Sequence, residues 1–277
     1  MSSRHTDIPE HQDKGDALGL KVLCRARHRS LDHLTLSAPR LASILLVPVL
    51  FNVAEWMLRG ALSAGWAAIF DFWLSKLGIG GTVVQKARPF ASLEVTLPYL
   101  YVPATAPDLL TWCVTVAATI IVALLTVRIP DRYLPLRYFL QFGIFIQATA
   151  ILFFAVTPSS FPYTVSGYID NGLKTSFAFL FLLPWGHALV YYIFDFSWPS
   201  KLCLTLFTLA FVVIAVPLQL TLHAYLLFRY SLLLMPLLSF VLGPTWIVFG
   251  CIALYGWAMS WDRLDQKAKA ARSTPAH

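Results

Sequence analysis

Charged residues are scarce in this chain. Asp, Glu, Lys and Arg make up 13% of its 277 residues, against about 25% in an average soluble domain. With 58% of the residues hydrophobic and a mean hydropathy of +0.67, too little polar surface remains to cover a water-soluble fold. An integral membrane protein is the class that fits. Cysteine is scarce too: Cys24, Cys113, Cys203 and Cys251 stand far apart, with no CxxC, no CxxCH and no histidines at metal-ligand spacing. That excludes a disulfide framework and a zinc site, and no metal or cofactor is expected. A P-loop, HExxH, GxSxG and a DxD-like carboxylate pair are also missing, as is any Asn-x-Ser/Thr acceptor. The net charge of +7 comes from short basic blocks beside apolar segments, a pattern that orients a membrane protein and does not suit nucleic-acid binding.

What the chain does have is long apolar runs. A spanning helix needs about 20 apolar residues, and six segments meet that length: 41–58, 109–127, 138–157, 175–194, 202–222 and 231–258. The last carries Pro236 and Pro244 and is expected to be kinked or to have a re-entrant start. Residues 1–40 read as a polar and then basic tail, 41–261 as the membrane domain and 262–277 as a basic tail. A polar stretch of this length before the first span argues that the span stays as an anchor. With both termini cytoplasmic, 13 Lys and Arg from residue 21 onward fall on the cytoplasmic side and 6 on the other, in line with the positive-inside rule. The expected fold is therefore an all-α polytopic bundle in the cell membrane, with six transmembrane helices and a short extracytoplasmic cap.

That cap is the segment 59–108. Leu62, Trp66, Ile69, Phe70, Trp73 and Leu77 recur at helical spacing, which predicts a separate amphipathic helix over 61–77 lying in the membrane interface. "TVVQKARPFASLEVTLPYLYVP" then alternates, with β-branched residues and prolines, and predicts a short strand or extended loop. The tetrapeptide "IFDF" occurs at 69–72 and again at 193–196. Its two aspartates, Asp71 and Asp195, fall on opposite faces by this topology, and the match does not extend, so it reads as interfacial punctuation rather than a repeat.

Polar side chains inside spans are costly and mark candidate sites. Asn52, Glu55 and Arg59 share one face of the first span, with Glu55 and Arg59 placed for an i,i+4 ion pair. Gln219 and His223 are four apart near the end of the fifth span, with Arg229 beyond. Together these six are expected to form a polar binding pocket that opens outward under the cap. His187, Tyr191 and Asp195 line one side of the fourth span, where His187 reads first as a structural hydrogen-bonding residue. Pro184 and Pro217 interrupt spans four and five, and Gly243, Gly250 and Gly256 offer a close-packing face on span six.

Three function classes follow, in this order: a non-catalytic subunit of a cell-envelope assembly or export complex, a small transporter component, and a membrane enzyme acting on a lipid-linked substrate. No catalytic residue is assigned. Membrane lipids, other membrane proteins and a lipid-linked ligand are the expected partners.

Overall fold

The computed structural model describes residues 38–90, 93–103, 107–193 and 198–273. Its first helix, α1 (Ala38–Lys76), runs unbroken for 39 residues. At about 1.5 Å per residue it is ~58 Å long, nearly twice the ~30 Å hydrocarbon layer. The separate interfacial helix expected over 61–77 does not exist, because nothing in "MLRGALSA" stops a helix. Gly60 alone costs about 1 kcal/mol relative to alanine, and the packing beyond it outweighs that. Ser63, Trp66, Phe70 and Leu74 form the buried stripe, while Trp73 and Leu77, assigned to the apolar face from the sequence, are each 37% exposed.

Next comes a two-stranded antiparallel hairpin, β1 (Thr82–Phe90) with β2 (Leu93–Tyr101), paired from Thr82↔Tyr101 to Phe90↔Leu93. The fold is thus mostly but not purely α. Pro89 and Pro98 are tolerated because each strand has a free edge. Gly78, at φ +63, turns the chain out of α1, and Gly81 lies so close to β2 that a Cβ would sit 2.6 Å from the Tyr101 carbonyl oxygen. Val95, Leu97 and Leu100 of β2 enter the core.

The remaining helices are α2 (Leu109–Val127), α3 (Leu134–Val156), α4 (Val165–Ile193), α5 (Trp198–Arg229) and α6 (Gly243–Ser273). Six helices among the described residues are long and apolar enough to cross a membrane. The second span has the bounds read from the sequence. The fourth starts ten residues before its expected start and the fifth ends seven residues later, because helix continues past the apolar run wherever neighbours cover it. The sixth is broken at its entry as expected: a 3-10 turn Leu232–Leu234, one α turn Met235–Leu237 and a π turn Leu238–Leu242 lead into α6.

One buried cluster joins the second half of α1, the hairpin, α4, α5 and the entry to α6, and includes Trp66, Phe70, Leu100, Leu173 and Leu227. A smaller cluster of Ile44, Val47, Ala188, Tyr191, Leu204 and Ala258 holds the other end. α2 packs chiefly on α3 and lies outside both.

Candidate functional site

The polar side chains of the spans are placed according to which backbone groups need partners. Proline at 217 has no N–H, so the carbonyl of Val213, four residues earlier, loses its helical donor. Trp66 of α1 supplies one: its indole Nε1 donates to the Val213 oxygen at 2.8 Å. At the broken entry to α6, Gln219 Nε2 donates to the carbonyls of Gly243 (2.6 Å) and Leu242 (3.4 Å). Gln147 of α3 donates to the Leu233 carbonyl at 3.2 Å in the 3-10 turn. A membrane interior holds no water to serve such groups, and neighbouring helices replace it.

Asn52 links α1 to α4 in the turn around Pro184. With its amide oriented to satisfy both ends, Nδ2 donates to the Phe181 carbonyl at 3.2 Å and Oδ1 accepts from Trp185 Nε1 at 2.8 Å. Glu55 and Arg59 form no ion pair with each other among the described residues. Arg59 turns back on its own helix, donating to the Trp56 carbonyl at 2.6 Å with its guanidinium 4.4 Å from the Trp56 ring centroid. Glu55 Oε1 is buried without a hydrogen-bond partner.

Gln219 and His223 do come together, at a cavity of about 360 Å³ between α4, α5 and the entry to α6. Asn52, Glu55 and Arg59 do not line it, and Arg229 is exposed at the end of α5, also outside it. The six residues grouped from the sequence therefore lie in separate places, because Asn52 faces α4 rather than α5. His223 is buried, and its Nδ1 shares a 2.8 Å hydrogen bond with the Tyr168 hydroxyl of α4. Ser239 from the π turn and Thr175 and Ser176 from α4 add hydroxyls to the wall.

His187 and Tyr191 sit at the other end of the α4–α5 contact, in a closed network. His187 Nδ1 is 3.3 Å from Thr205 Oγ1, and the Tyr191 hydroxyl lies 2.7 Å from the same oxygen while donating to the Lys201 carbonyl at 2.8 Å. This ties two helices by hydrogen bonds at a buried position. Asp195 lies outside the described residues.

A charged cluster had no counterpart in the sequence reading. Arg88 of β1 reaches Asp170 of α4 through Nε (3.0 Å) and Nη2 (2.7 Å), and Lys174 Nζ lies 2.7 Å from the other carboxylate oxygen. Asp170 is 8% exposed, so this triad pins the hairpin at a mostly buried point. Ser63 donating to Gln85 Oε1 at 3.0 Å and the Val102 amide donating to Ser166 Oγ at 3.1 Å complete the attachment. The i,i+4 spacing of Asp170 and Lys174 was visible in the sequence, but Arg88 is 82 positions away from Asp170. Tyr168 was missed for the same reason, being 55 positions from His223.

Among the described residues no group of three or more His, Cys, Asp or Glu is placed to hold a metal ion. The glycine face on α6 turns inward at Gly250, where a Cβ would lie 2.1 Å from Phe211 Cζ of α5. No protein-family model matches the chain. No curated protein matches it, and neither does any solved structure.

Proposed function

We propose that this multi-span membrane protein is a non-catalytic subunit of a cell-envelope assembly, seated in the cell membrane with both termini cytoplasmic and the hairpin on the far side. The supporting observation is the contrast between α2 and the rest of the bundle: 6% of the most apolar stretch of α2 is buried, against 17% in α1, 22% in α3, 18% in the sixth span and 39% in α4 and in α5. α2 also exposes Cys113, Ala117 and Ala118, small residues that let another helix approach closely. A spanning helix packed chiefly on one neighbour suits contact with a second protein. The transport reading rested on Pro184, Pro217 and the polar groups along spans one, four and five, and of these the carbonyl freed at Pro217 is occupied by the Trp66 donor.

The test is a photoreactive phenylalanine analogue at Ala118, in the full chain and its native membrane. Leu189 of α4, 70% exposed, serves as a lipid-facing control. The expected result is one stoichiometric protein adduct from position 118, with the same protein co-extracted in mild detergent. Lipid adducts alone from both positions would sink the subunit reading.

A second reading, the holding of a lipid-linked ligand, is favoured by one specific feature. His223 and Gln219 line a cavity that the protein's own side chains leave open.

A further inference from the structure

A second cavity, about 520 Å³, adjoins the first, and Gln219 and His223 line both. The two differ in chemistry. The larger is walled by Ile214, Leu218, Leu222, Leu242 and Trp246, each at least 40% exposed on the bundle surface, where a bilayer supplies hydrocarbon. The smaller presents hydroxyls, amides and an imidazole, and no Asp, Glu, Lys or Arg. From this juxtaposition we propose that α5 and the broken entry to α6 form a binding site for a lipid with an uncharged, hydroxyl-bearing headgroup, its tail in the apolar groove and its head beside His223.

The absence of charge in the wall decides the headgroup. A phosphate or carboxylate taken out of water needs a cation or several convergent donors, and no Lys or Arg lines the cavity, Arg88 and Lys174 being held by Asp170. A hydroxyl needs only one donor and one acceptor. His223 supplies either: with the Tyr168 phenol donating to Nδ1, the neutral ring carries its proton on Nε2 and offers a donor, and with the opposite tautomer it offers an acceptor. Nε2 carries no hydrogen bond among the described residues. The hydroxyls of Thr175, Ser176 and Ser239 add donors and acceptors, and the volumes lie within the ~300–1,000 Å³ of small-molecule sites.

The break in the helix explains why the site is here. Gln219 Nε2 is held by the carbonyls of Gly243 and Leu242, so the π turn is fixed open and Ser239 is presented toward α4.

The experiment uses the full-length protein in phosphatidylcholine nanodiscs with a photoreactive, clickable monoglucosyl diacylglycerol that carries its diazirine in an acyl chain. The matched phosphatidic-acid probe has the same chains. Expected are adducts on peptides containing Leu218–Leu222 and Leu242–Trp246, competed by unlabelled glucosyl lipid and not by phosphatidic acid. Ser239→Ala and Thr175→Val should each lower labelling about fivefold, the size of one lost hydrogen bond, at unchanged thermal stability. Leu218→Trp, which fills the groove without touching His223, should lower it further, about tenfold. Equal labelling by the two probes, adducts spread evenly over all six helices, or labelling indifferent to Leu218→Trp would each overturn the proposal. The subunit reading stands or falls separately, on the position-118 adduct.

Discussion

The α1–α4–α5 core with its hairpin and the helix α2 are built from similar apolar sequence but differ in how much of their polar chemistry crosses between elements. In the core, Trp66, Asn52 and Gln219 each donate to a backbone carbonyl on another helix or beyond a helix break. In α2, Thr115 and Thr119 donate back to the carbonyls of Thr111 and Thr115 in their own helix, and Trp112 Nε1 near its start crosses to the Ile151 carbonyl of α3 at 3.2 Å. A donor directed across the interface fixes which helices pair and in what register. A donor directed inward hides itself and leaves the helix free to meet lipid or protein. The core therefore carries most of the specificity of the fold, while α2 is committed through Trp112 to α3 and keeps the exposed face of Cys113 and Ala117 free of such bonds.

The hairpin's anchor offers the sharpest way to break this contrast. Asp170→Asn leaves Arg88 and Lys174 without their carboxylate, and losing one partner of a largely buried pair costs about 3 kcal/mol. The expected outcome is faster amide exchange along β1 and β2 with α2 unaffected; equal change in both regions would mean that they are not separate in stability. Next in size is Gly250→Val. Its side chain collides with Phe211, and overpacking of this kind costs about 2 kcal/mol. Phe211→Ala in the same chain should recover most of the lost thermal stability. Failure of that rescue would show that the glycine faces something other than α5.

Trp66→Phe is smaller and more diagnostic. It keeps most of the ring and removes the donor to Val213, for an expected loss of about 1–2 kcal/mol. Pro217→Ala restores a helical N–H to the same carbonyl. In that background Trp66→Phe should cost clearly less, and a double-mutant cycle in thermal unfolding reads the difference. Additive effects would mean that the indole bond is incidental to the proline.

How far the sequence revealed all this depended on whether a signal was local. The bounds of α2 were legible because Asp108 starts it and "RIP" ends it, both within a few residues of the apolar run. The full length of α1 was not, since hydropathy falls near Arg59 while helix propensity does not, and the partners that cover Trp66 and Phe70 lie on the hairpin, α4 and α5. Extended structure after residue 81 was legible from alternation, but its pairing was not. Within the candidate site, Gln219 and His223 could be joined by their four-residue spacing. Tyr168, Arg88 and Asp170 required the tertiary fold, and Asn52 was grouped with the wrong helix because spacing identifies a face without saying what it faces.

The smallest predicted effect tests the isolated side of the comparison. Asp108 caps α2 by accepting from the Thr111 amide at 3.0 Å. Hydrogen bonding from Thr111, side chain first and backbone amide second, holds its carboxyl below the ordinary value. A carboxylate with a lowered pKa in the folded state stabilises above its unfolded pKa and ceases to do so as pH falls through the folded one. The cap should therefore be intact at neutral pH and loosen only below about pH 4. After correction for intrinsic rates, exchange of the first-turn amides of α2 should stay flat from pH 8 to 5 and rise in the acid range. Asp108→Asn keeps a good capping acceptor and should abolish the acid rise, while Asp108→Ala should expose the same amides at every pH. None of the three should alter exchange in α4 or α5, because the cross-helix bond of the capped turn, from Trp112 Nε1 to the Ile151 carbonyl, ends on α3. A change there would mean that α2 is coupled to the core after all, and that its low burial is not a sign of an open surface.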